Sequence, residues 1–110
     1  MYEIEEYVTA DGKVPFSDWL LGVKDKRAQA KVHARIRRAS LGNFGDWKPI
    51  TGAKGVFEMR EHYGPGYRIF YSVIGNKIVL LLIGSEKKDQ DKAITKAAAY
   101  LVDYEERAKE

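Results

Sequence analysis

Two periodicities divide the chain. From Pro15 to Ala39 the apolar residues return every three or four positions. From Val56 to Ile83 they follow strand alternation, and from about Asp91 the helical spacing returns. The first helical stripe is Phe16, Trp19, Leu20 and Val23, opened by Pro15, whose missing N–H is harmless at a helix start. A second helix begins at Lys26 behind the capping residue Asp25, with Ala28, Val32, Ile36 and Ala39 as its buried face. Tyr2–Thr9 alternates but carries charge on both sides, which predicts an edge strand. Leu41–Gly55 reads as an irregular, glycine-rich loop.

Three strands follow. Val56–His62 and Tyr67–Ile74 flank the turn Tyr63-Gly64-Pro65-Gly66. Gly75-Asn76 then separates Tyr67–Ile74 from Lys77–Ile83 by two residues, a hairpin signal. Ile78–Ile83 is apolar on both faces and predicts the most buried strand. Gly84–Gln90 reads as a polar loop before a last helix, whose buried side is Ile94, Ala97, Ala98, Leu101 and Val102. The acidic tail, with Asp103, Glu105, Glu106 and Glu110, is expected to fray. The fold class is α+β: an N-terminal strand, two helices, a three-stranded antiparallel meander and a C-terminal helix packed on one sheet.

With 110 residues, 45% of them hydrophobic, the chain suits one domain over 1–110 with one core. It has no cysteine, which excludes disulfides, thiolate metal sites and cysteine nucleophiles. His33 and His62 are the only imidazoles, so neither a metal nor another cofactor is expected. The longest apolar run falls far short of a membrane span, and the acidic start is unlike a signal peptide, so a cytoplasmic location without membrane association is expected.

Charge changes the picture more. Residues 24–54 hold nine bases against Asp25 and Asp46, a net +7. Arg27, Lys31, Arg35 and Arg38 recur along one side of the second helix as a basic ridge, an anion or nucleic-acid surface or simply a solvated face. Arg60 and Arg68 lie in neighbouring strands across a tight turn, and Lys87 and Lys88 follow the buried strand. Two adjacent guanidiniums repel unless an anion lies between them. Glu58 and Glu61 could fill that role in an ion-pair network. The alternative is a phosphate clamp, in which fixed cations stabilise a transferring phosphoryl group and the RNA supplies its own 2′-hydroxyl nucleophile. His62 reads as a surface residue or a proton shuttle, and His33 as solvated. Trp47, Phe44 and Phe57 read as anchors or as stacking platforms for bases.

The segment Ala53-Lys54-Gly55-Val56-Phe57-Glu58-Met59-Arg60, with Tyr63-Gly64-Pro65-Gly66-Tyr67-Arg68-Ile69-Phe70-Tyr71, resembles a block shared by small toxins of the RelE/ParE superfamily. The likeness is strongest to the HigB-like addiction module killer proteins, and Phe16-Ser17-Asp18-Trp19-Leu20 is similar to their F-x-x-W-L motif. The resemblance implies the toxin of a type II toxin–antitoxin pair, neutralised by a cognate antitoxin and cleaving mRNA on the ribosome without a metal. By position it implies that Arg60 and Arg68 stabilise the phosphorane and that Lys87 binds the scissile phosphate or the leaving oxygen. It also places Lys54 among the RNA-binding residues. Lys88, Arg27, Lys31, Arg35 and Arg38 join these as candidate phosphate contacts. The chain departs from the family at Ser85-Glu86, where Gly-Asp is usual, and at Lys88-Asp89, where Ser-Thr is usual. The general base stays open between Glu58 and His62. ParE-like relatives inhibit DNA gyrase without nuclease activity, and a non-catalytic RNA-binding module is the third reading.

Overall fold

A computed structural model describes residues 1–109. Strands β1 (Glu3–Glu6), β2 (Trp47–Pro49), β3 (Phe57–Glu61), β4 (Tyr67–Ile74) and β5 (Ile78–Glu86) form one sheet in the order β1-β5-β4-β3-β2. Strand β1 is parallel to β5, and every other pair is antiparallel. Helices α1 (Pro15–Leu21) and α2 (Lys26–Ser40) precede β2, and a 3₁₀ turn (Lys87–Asp89) leads into α3 (Gln90–Ala108).

Alternation in the strands feeds two cores. On one face Phe70, Leu80 and Leu82 meet Ala93, Ala97 and Leu101 of α3. On the other, Met59, Ile69, Tyr71, Val79 and Leu81 meet Phe16, Leu20, Val32 and Ala39 of α1 and α2. The α+β class and the meander β3-β4-β5 are as expected, and the sheet is covered on both faces. This is why Val79–Leu82 is apolar at every position: a strand between two helical layers has no wet side. Each such side chain, withdrawn from water, contributes about 2 kcal/mol.

Local chemistry sets the joints. Asp25 Oδ1 accepts from the backbone N–H groups of Arg27 and Ala28 at 2.9 and 3.3 Å, capping α2 as expected. Gly75 and Asn76 both have φ of +57°, the left-handed pair that a two-residue hairpin between twisted strands requires. Gly84 lies directly beneath the Trp19 ring, which occupies the space a Cβ would need.

Several expectations need correction. Strand β1 is shorter than Tyr2–Thr9, because its register partners end at Leu81. Val23 lies beyond the end of α1. The loop Leu41–Gly55 contains β2, a strand too short to show a period. Gly84, Ser85 and Glu86 are not loop but the end of β5, opposite Ile69, Arg68 and Tyr67. Val102 is exposed rather than part of the buried side of α3.

The acidic tail does not fray within the described residues, since α3 continues to Ala108; Glu110 lies outside them. Tyr7 Oη donates to Asp103 Oδ2 at 2.6 Å, and Arg107 Nη2 lies 2.7 Å from the same oxygen. The Tyr7 hydroxyl first, and then Arg107, hold the Asp103 carboxyl below the usual carboxylate range. A carboxyl depressed on folding adds stability above its unfolded pKa of about 3.9 and loses it as pH falls through the lower folded value. Wild type should therefore melt above Asp103→Asn at neutral pH. The gap in Tm should close as pH falls below about 4, a trend that thermal melts across pH would check.

Candidate functional site

Arg60 of β3 stands directly opposite Arg68 of β4, which in turn stands opposite Ser85 of β5. Residues opposed in an antiparallel sheet share a face. The three therefore form a row across three strands, on the face where α3 begins.

Each guanidinium is held by its own carboxylate. Arg68 is buried, with Nε 3.3 Å from Glu58 Oε2 and Nη1 donating to the Tyr67 carbonyl oxygen at 3.3 Å. Glu58 is itself fully buried; Gln90 Nε2 donates to its two oxygens at 2.9 and 3.0 Å, and Lys48 Nζ lies 3.6 Å away. Arg60 Nη2 donates to Asp46 Oδ1 at 2.9 Å, and the Arg60 backbone N–H donates to the Asp46 carbonyl at 2.8 Å. His62 Nε2 sits 2.6 Å from Asp46 Oδ2. His62 foremost, and then Arg60, hold the Asp46 carboxyl below its usual range. Glu61 faces the other side and pairs with Arg35 at 3.3 Å. The expected network of Arg60, Arg68, Glu58 and Glu61 is therefore two separate pairings, with Asp46 taking the place proposed for Glu61.

These pairings leave donors unused. Arg60 Nε and Ser85 Oγ are buried without a hydrogen-bond partner, as is Arg35 Nε on the other face, and Arg68 Nε is buried with only its 3.3 Å ionic contact to Glu58. Unsatisfied buried polar atoms are uncommon, and two of them in one row require a reason. Lys87 adjoins this row, its backbone N–H donating to the Gly66 carbonyl at 2.9 Å. Gly66 has a φ of +84°, and a Cβ there would lie 3.4 Å from Lys87 Cβ and 3.9 Å from Arg68 Nη1. The left-handed backbone is what calls for glycine here, where the chain passes between Lys87 and Arg68.

A model of the family described as phage derived protein Gp49-like (DUF891) matches residues 18–102, from α1 through most of α3. The chain belongs to the Gp49-like family. It is also similar to an uncharacterized protein of Haemophilus influenzae (strain Rd), 44% identical over 82 residues that cover 74% of this chain and 81% of that protein. The whole cationic row lies inside the Gp49-like match.

The remaining candidates scatter. Lys54 in this Gp49-like chain is exposed in the loop before β3, at the opposite end of that strand from Arg60. Lys88 is exposed in the 3₁₀ turn. The α2 ridge is not continuous: Arg27, Lys31 and Arg38 are exposed, whereas Arg35 turns inward to Glu61. Lys31 Nζ lies 5.2 Å from the Tyr63 ring centroid, and Tyr63 Oη donates to Asp25 Oδ2 at 3.0 Å, pinning the β3–β4 turn to the start of α2. Sequence reasoning missed Asp46, Lys48, Gln90 and Ser85. Asp46 and Lys48 flank Trp47 at a strand of three residues, and Gln90 lies beyond any alternation, so none carried a periodic signal.

Removing one partner of a buried ion pair strands the other charge. Arg68→Ala should lower stability by about 3 kcal/mol, and adding Glu58→Gln should recover part of that loss. Denaturant melts of the two single variants and the double variant check this coupling; additive losses contradict it.

Proposed function

We propose that the chain is the toxin of a type II toxin–antitoxin pair and an endoribonuclease, with Arg60, Arg68 and Lys87 as its phosphate clamp. The observation that carries this reading is the row of Arg60, Arg68 and Ser85, two opposed guanidiniums and a hydroxyl in which Arg60 Nε and Ser85 Oγ have no hydrogen-bond partner. An anion at the mouth of that row meets the positive charge of two opposed guanidiniums, and a phosphorane has the oxygens to accept from guanidinium N–H groups. Lys48 pairs with Glu58, and Lys87 beside Gly66 adds a further positive charge near the row.

The likeness to HigB-like killer proteins supplies the substrate and partner: mRNA on the translating ribosome, and a cognate antitoxin. Beside Ser85 an open groove of about 1020 Å³ runs past Trp19, Tyr67, Lys92 and Lys96, along the part of β5 that β1 does not accompany. The groove also holds Asp18, Asp25, Glu86 and Asp89, so it is the aromatic rings, more than charge, that suit a flexible single strand there. Lys88, Arg27, Lys31 and Arg38 contribute outer phosphate contacts in this reading, and Lys54 meets RNA further along.

Primer extension on a reporter mRNA after induction tests the proposal. Wild type should cut the transcript and arrest growth. Arg60→Ala should reduce cutting about 100-fold with Tm nearly unchanged, since its partner Asp46 is partly exposed and surface ion pairs add little. Growth arrest with intact transcripts and halted DNA replication would overturn the nuclease in favour of a gyrase-directed toxin. RNA binding that is steep in salt but yields no cut product would reduce the chain to a binding module.

A further inference from the structure

The clamp leaves the proton of the 2′-hydroxyl unassigned. Glu58 is an unsuitable base: it is fully buried, Gln90 donates to both of its oxygens, and Arg68 and Lys48 lie against it. A carboxylate so held is a structural anion out of reach of an exposed hydroxyl. His62 differs on each count. Its side chain is 68% exposed. By strand alternation it shares a face with Glu58 and Arg60. It follows Glu61, the last register position of β3, opposite Tyr67, and so stands at the β3–β4 turn that ends in Gly66, whose carbonyl accepts from the Lys87 N–H.

One carboxylate links this imidazole to the clamp. Asp46 Oδ2 is 2.6 Å from His62 Nε2, and Asp46 Oδ1 accepts from Arg60 Nη2 at 2.9 Å. Asp46 is the charged group against the ring, and Arg60 the charged group behind Asp46. A carboxylate on one ring nitrogen fixes the proton there and leaves the lone pair on the other. His62 Nδ1, which has no partner among the described residues, is that other nitrogen.

The geometry points to His62 as the catalytic general base of RNA cleavage, with Asp46 as the positioning residue that ties the imidazole to Arg60. This inference rests on the phosphate-clamp reading. His62 Nδ1 takes the proton of the 2′-hydroxyl, and the 2′ oxygen bonds to phosphorus. The bond from phosphorus to the 5′ oxygen breaks, and that oxygen takes a proton from water. The products carry a 2′,3′-cyclic phosphate and a 5′-hydroxyl.

The test is cleavage of a reporter mRNA in a purified translation mixture, with end-group analysis of the fragments. His62→Ala should cut about 100-fold more slowly with RNA affinity unchanged, and free imidazole should restore part of the rate. His62→Gln, which can still hydrogen-bond Asp46 but cannot take a proton, should be equally slow. Asp46→Asn should lower kcat about 10-fold with KM unchanged. Both His62 variants should fold, because exposed substitutions change stability little. Wild-type rates in both His62 variants alongside an inactive Arg60→Ala would overturn the base and leave the clamp standing. A loss that imidazole does not rescue, or fragments without cyclic phosphate ends, would overturn it as well. A wild-type protein that leaves the message uncut would overturn both readings.

Discussion

The site is organised around a repulsion. Arg60 and Arg68 face each other across β3 and β4, an arrangement that is unfavourable unless each positive charge is separately compensated. Glu58 and Asp46 do this from different directions, one within the core and one from the segment before β2. The division keeps each guanidinium fixed while leaving Arg60 Nε without an acceptor. A shared carboxylate would have neutralised both and left little for an external anion to bind.

Much of the architecture serves that arrangement. Burying Glu58 requires Lys48 from β2 and Gln90 from α3, so the edge strand and the start of the last helix are both tied to the same carboxylate. The β3–β4 turn that brings the two arginines into register is pinned to α2 through Tyr63 and Asp25. Trp19 seated on Gly84 packs α1 against the opposite face of β5, one residue before Ser85. Sites held by elements on both faces of a sheet have little freedom to relax, which favours fixed charge over induced fit.

The elements with sustained periods were legible from sequence. Both long helices, β4 to the residue, and the hairpin at Gly75-Asn76 follow from apolar spacing and turn chemistry. The end of β5 was not, because Ser85 and Glu86 are polar; a strand lying beside a buried arginine needs a polar neighbour, and that resembles a loop in sequence. Arg60, Arg68 and Lys87 were recognisable as a cluster because a short turn and a short connection bring them to one end of the sheet. Their partners were not. Asp46 lies 14 residues before Arg60, and Gln90 lies 32 residues after Glu58, distances that only the folded sheet closes. The α2 ridge misled for a related reason: spacing placed Arg35 on the exposed stripe, but Glu61 draws it inward.

The central claim is that Arg60 and Arg68 together hold a phosphate. NMR of the arginine Nε–H signals, during titration with a short RNA carrying a single 2′-deoxy nucleotide at the cut site, tests it most directly. The Arg60 and Arg68 signals should shift together and saturate at one RNA concentration, while those of Arg37 on α2 and of Arg107, paired with Asp103 on α3, stay in place. Saturable shifts confined to the α2 arginines, with Arg60 and Arg68 unmoved, would contradict it.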